Sequence, residues 1–165
     1  MRFLLMSLAA LVATEAHAEG FAVHDLSTIA DDASAALGAG FIHRAAPERV
    51  TLFCSGCKGG PMIDIKIGRQ TDGTERNVRS GQTSMADLER LCQVKDPACS
   101  LTGLSVSPAV GWLTTWPMGS YTGSTAVILR DGDLLTIRSV AADADTARRN
   151  AETLVQSVSP KVIGP

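Results

Sequence analysis

Ser124-Thr125-Ala126-Val127-Ile128-Leu129-Arg130-Asp131-Gly132-Asp133-Leu134-Leu135-Thr136-Ile137-Arg138-Ser139-Val140 is the stretch on which the fold turns. Asp-Gly is a preferred pair for a two-residue hairpin turn, whose central residues take positive φ. The runs on either side, Ser124 to Arg130 and Asp133 to Val140, are therefore read as two antiparallel strands. Downstream, Ala147, Ala151, Leu154, Val155 and Val158 recur at helical spacing, which predicts a last helix from about Asp145 to Val158 closed by Pro160. Upstream, two more β segments are expected, about Leu101 to Val106 and Val110 to Trp116.

Further upstream, Ser84 with Asp87 three residues on forms a capping box, so a helix should start there. Met85, Leu88, Leu91 and Cys92 are its expected inner face, and Asp96-Pro97 ends it. Asp72-Gly73 predicts another tight hairpin, setting Ile67 opposite Val78 and Arg69 opposite Arg76. Like charges directly opposite are unfavourable, so Arg69 and Arg76 either splay into solvent or join Arg79 in an anion or acidic-partner site. Ile63, Ile65 and Ile67 alternate with polar residues as in a half-buried strand. Shorter strands are expected at Phe41 to Ala45 and Val50 to Cys54. A first helix spans about Leu26 to Leu37, capped by Asp25 and stopped by Gly38. This order predicts a single α+β domain over residues 19–165: a mostly antiparallel sheet of about six to eight strands with about three helices packed on one face.

Residues 1–18 read as a secretory signal peptide. Arg2 supplies the positive start, Phe3 to Val12 the apolar run, and Ala16-His17-Ala18 the small-x-small site before cleavage. That run is shorter than the roughly 20 residues a spanning helix needs, and no later stretch is long and apolar enough to span. Asn77 and Asn150 lack the N-x-S/T pattern, which fits a bacterial periplasm. A formal net charge of -2 argues against nucleic acid as a partner.

The four cysteines are Cys54, Cys57, Cys92 and Cys99. In an exported chain they are expected as two disulfides. Local pairing, Cys54 with Cys57 and Cys92 with Cys99, is preferred, with loop-entropy stabilisation of ~2 and ~2.5 kcal/mol. Cross-pairing would close a longer loop and contribute ~4 kcal/mol, but geometry decides between them. The competing readings of Cys54-Ser55-Gly56-Cys57 each lack something. Thioredoxin-type redox chemistry wants a helix N-terminus at the first cysteine, and here Lys58-Gly59-Gly60-Pro61 and a strand follow. Covalent haem wants a histidine where Lys58 stands. Zinc wants a second close pair, and Cys92 and Cys99 are too widely spaced.

Two patches are candidate binding surfaces: the aromatic strand face carrying Trp112, Trp116 and Met118, and the arginines Arg69, Arg76 and Arg79. The tryptophans, about 13 Å apart on one face, either pack as core under a helix or form an aromatic strip for a ligand. Copper held by Met118 with Met62, Met85 or His43 is a third option for this strand. No G-x-S-x-G, H-E-x-x-H or phosphate-loop motif is present, and neither His24 nor His43 has a diagnostic neighbour. No catalytic residue, cofactor or metal is therefore assigned. The expected function is a periplasmic or secreted binding or accessory protein serving another exported or envelope protein. The alternative is a thiol redox or metal-handling protein that uses Cys54 and Cys57.

Overall fold

The computed structural model describes residues 20–165; the signal peptide expected over residues 1–18, with cleavage near Ala18, lies outside them. Seven strands form one antiparallel sheet: β1 (Ile42–Ala46), β2 (Arg49–Phe53), β3 (Met62–Arg69), β4 (Ser100–Gly103), β5 (Val110–Met118), β6 (Tyr121–Arg130) and β7 (Asp133–Ala141). Their order across the sheet is β1-β2-β3-β7-β6-β5-β4. The helices are α1 (Ala30–Leu37, entered through a 3-10 turn at Leu26–Ile29), α2 (Thr74–Arg79), α3 (Met85–Lys95) and α4 (Ala144–Ile163). The single α+β domain read from the sequence is the observed architecture.

The Asp131-Gly132 turn forms as expected, with φ of 52° and 83° at its two residues, and pairs Arg130 with Asp133. From there the period-two alternation of the strands sorts the side chains into two faces. Val50, Leu52, Ile63, Ile65, Leu113, Ala126, Ile128, Leu135 and Ile137 lie on one face and are buried. Against them pack Leu26, Ile29 and Ala33 from the first helical segment and Ala151, Leu154, Val155, Val158 and Val162 from α4. Removing such side chains from water is the main favourable term in folding, about 1.5–3 kcal/mol for each large one.

Four expectations need correcting. Asp72-Gly73 does not make a hairpin, and Ile67 does not face Val78. Both edges of β3 are already occupied, by β2 and by β7, with Ile67 opposite Leu135. The Asp72 carboxylate instead accepts from the Thr74 N–H at 3.0 Å, and Gly73, at φ 86°, leads into α2. Secondly, Pro160 does not end the last helix, which continues to Ile163. Proline removes one helical hydrogen bond there, yet Val162 and Ile163 are buried and their carbonyls are taken. Ala22 N–H and Val23 N–H donate to Val162 O, and Arg130 Nη1 donates to Ile163 O.

Thirdly, α1 and α4 cover one sheet face as expected, but α3 lies over the other. A Cβ built on Gly103 would meet Met85 Cγ at 3.5 Å, and Gly103 pairs with Trp112 on the face away from Leu113. Finally, the Ser84–Asp87 capping box forms, but Leu91 is 63% exposed and is not part of the inner face of α3.

Candidate functional site

On the sheet face opposite α1 and α4, α3 packs at the β4–β5 side, and α2 also approaches β5. Trp112 is buried there, 8% exposed. Across the remaining strands the register lines up Ile42, Phe53, Met62, Val140, Gly123 and Trp116 in one transverse row. Beyond it, Met118 pairs with Tyr121 at the end of the β5–β6 hairpin. Ile42, Met62 and Tyr121 are 56%, 46% and 51% exposed, three of the five large exposed apolar side chains among the described residues. Singly scattered exposed apolar residues are ordinary, whereas a contiguous group marks a contact surface.

Gly123 makes the aromatic part of this row possible. A Cβ there would stand 3.0 Å from the Trp116 ring and 2.7 Å from Met118 Sδ, so both side chains lie over a position with no side chain of its own. The Arg138 guanidinium sits 5.6 Å from the centre of the Trp116 ring, and its Nη2 is 3.4 Å from Met118 Sδ. Such a cation–π contact contributes about 0.5–1 kcal/mol at an exposed site. Trp116 is half-buried, so the two tryptophans of β5 divide the alternatives between them: Trp112 is core and Trp116 belongs to a surface.

Behind the apolar row the same strands carry charge. Two residues further along are Arg44, Thr51, Asp64 and Arg138, and two beyond these Arg49 and Lys66. Asp64 is the one acid in these rows. Its Oδ1 accepts from Arg49 Nε and Nη2 at 2.9 and 2.7 Å and from Thr51 Oγ1 at 2.7 Å. Burial pushes its carboxyl up, but the hydrogen bonds from Thr51 and Arg49 outweigh this and hold it below the ordinary value. Among the described residues, no carboxylate lies within ion-pair distance of Arg44, Lys66 or Arg138.

Of the three arginines, Arg69 and Arg79 are each paired with a carboxylate. Arg69 Nη1 is 2.7 Å from Asp133 Oδ1. Arg79 lies on α2, with Nη2 2.7 Å from Glu75 Oε1 and Nη1 donating to Pro108 O at 2.9 Å. Arg76 is exposed on the same helix. Glu75 also accepts from Gly132 N–H at 3.0 Å, which ties α2 to the β6–β7 turn. Burial raises the Glu75 carboxyl, but Arg79 and the backbone N–H groups of Gly132 and Asp131 bring it below its usual value.

Asp64 and Glu75 together predict an acid limb in stability. A carboxyl whose folded pKa lies below its unfolded value of about 4 stabilises fully above that value, and the contribution is lost as pH falls through the folded value. The urea midpoint should therefore drop on acidification below about pH 4, and Asp64→Asn with Glu75→Gln should flatten that drop. An unchanged acid limb in the double variant would contradict this assignment.

The cysteines pair locally, Cys54 with Cys57 and Cys92 with Cys99, at Cα separations of 5.3 and 5.9 Å. Cys54 is 2% exposed, and a Cβ on Gly40 would lie 3.1 Å from its sulfur. After Cys57 the chain turns through Gly59 and Gly60, with Gly60 N–H bonded to Cys57 O, and enters β3. No helix N-terminus follows the pair in sequence. The second disulfide ties the end of α3 to the start of β4. The thioethers weighed for copper are dispersed: Met62 and Met118 stand three strands apart, Met85 lies at Gly103, and His43 alternates to the α1 side, with Nε2 3.7 Å from Asp31 Oδ1.

One polar node escaped the sequence reading. Asp133 is 4% exposed and accepts from Phe21 N–H at 2.8 Å and from Arg69, while His24 Nε2 stands 3.0 Å from its Oδ2. A signal existed: alternation puts Asp133 on the core face with Leu135 and Ile137, and a carboxylate there requires donors. Its role is to hold the segment before the first helix onto the sheet. No family model matches this chain, and a search of curated proteins finds no match to it.

Proposed function

We propose that the chain is an exported, disulfide-stabilised binding protein, an accessory or assembly factor of the cell envelope without a catalytic role. Its contact surface in this reading is the open sheet face around Met62, Trp116 and Arg138. The observation that carries it is the transverse row from Ile42 to Trp116, in which Ile42 and Met62 are exposed and Phe53, Val140 and Trp116 are half-buried. Two disulfides fit an oxidising compartment such as the periplasm or the extracellular space. Among the described residues no helix is long and apolar enough to cross a membrane. The buried, helix-free setting of Cys54 favours a structural over a redox role for the Cys54–Cys57 pair.

A photo-reactive residue at position 62 or 121 tests this in living cells. It should form cross-links to an envelope component, whereas the same group at exposed position 149 on α4 should not. Equal labelling from all three positions, or none from the sheet face, would remove this face as the contact surface.

A further inference from the structure

We infer that the open sheet face docks on an anionic lipid surface, with its apolar row dipping to the acyl boundary and its cations at the headgroups. This rests on the binding reading above and names the partner of the same face. The argument is a gradient repeated in neighbouring strands. On the open face, β1 runs from Ile42 to Arg44, β2 from Phe53 through Thr51 to Arg49, β3 from Met62 to Lys66, and β7 from Val140 to Arg138.

Because these strands are aligned in register, apolar side chains collect at one end of the face and cations lie behind them. Two residues of strand span about 7 Å and four about 14 Å. An interfacial segment buries its apolar side roughly 5–10 Å into the headgroup boundary. The first cation row then falls at phosphate depth. A protein partner would more naturally meet an apolar centre ringed by polar groups, whereas a one-directional gradient matches a planar interface with a depth axis.

Charge and composition agree with this occupant. Arg44, Lys66 and Arg138 lack carboxylate partners among the described residues, and Asp64 is already engaged by Arg49 and Thr51. The face is thus cationic in a chain of net charge -2. The acidic start of α4, at Asp143 and Asp145, follows the Val140 end of β7 and leads into the helical layer on the other side of the sheet. Trp116 and Tyr121 are the residue types enriched at membrane interfaces.

The test is flotation of the exported protein, disulfides intact, with vesicles of equimolar phosphatidylglycerol and phosphatidylcholine, and with phosphatidylcholine alone. Binding to the anionic vesicles alone is expected, weakened by salt, with a blue shift of emission that Trp116→Phe removes. Met62→Asp should abolish flotation, and Arg44→Glu or Arg138→Glu should each weaken it roughly tenfold. Val94→Asp, at an exposed apolar position on α3, should leave it unchanged, and urea midpoints establish that each variant is folded. No binding to anionic vesicles, binding that survives Met62→Asp, or equal binding to neutral vesicles each overturns the inference. If vesicles fail while position 62 cross-links to an envelope protein, the lipid assignment falls and the binding reading stands. If both fail, both fall.

Discussion

Asp133→Ala should destabilise the folded protein by about 3 kcal/mol, the range seen when a buried hydrogen-bonded charge is removed. In a domain of this size that corresponds to a fall in Tm of roughly 6–12 °C. The loss is not shared equally among its partners. Arg69 and His24 have side chains 65% and 63% exposed, so both regain water when the carboxylate goes. The Phe21 N–H does not, because Phe21 is 2% exposed. Gly20 tightens the dependence: at φ 58° its Cα packs so close that a Cβ would overlap Asp133 Oδ2. The segment before the first helix therefore has one anchor on β7. Hydrogen exchange should show Phe21 and Ala22 losing protection before the sheet does. Asp133→Asn keeps one acceptor and should cost less than the alanine change. An Asp133→Ala protein as stable as the parent would mean that the node orders nothing.

Ile137→Ala should cost roughly 2–5 kcal/mol, the range for truncating a core Ile. Ile137 is fully buried on β7, between Ile65 and Ala126 of the flanking strands and beneath the helical layer. Its neighbour Arg138 points to the opposite face, and Arg138→Ala should cost no more than the cation–π contact with Trp116, about 0.5–1 kcal/mol. The contrast between adjacent positions of one strand, measured by urea denaturation, tests the assignment of the two faces. Comparable losses at both would mean that the open face is packed against something and is not a surface.

What could be read from the chain depended on how local the deciding interaction is. The Asp131-Gly132 turn and the Ser84–Asp87 capping box need only residues within four positions, and both were legible. The disulfides are nearly as local, closing over three and seven positions. Asp72-Gly73 carries the same turn signal as Asp131-Gly132 but behaves differently, because the edge of β3 that a hairpin would use belongs to β7, some 70 residues away in sequence. Pro160 departs from its local signal for a related reason. Its local effect is to end a helix, but the buried side chains and bonded carbonyls of Val162 and Ile163 outweigh one missing hydrogen bond.

The candidate site divides in the same way. Alternation along each strand determined which residues share a face, so Trp112, Trp116 and Met118 were grouped correctly from the sequence. It could not say that α3 buries Trp112 and leaves Trp116 at the surface. Nor could it align Ile42, Phe53, Met62, Val140, Gly123 and Trp116, which come from six strands and meet only through register. Periodicity is a property of one segment, and the sequence by itself therefore determined the elements, their inward faces and the α+β class. Strand order and register join segments distant in the chain, and only the tertiary structure decided that one face of the sheet stays open, apolar at one end and cationic behind it.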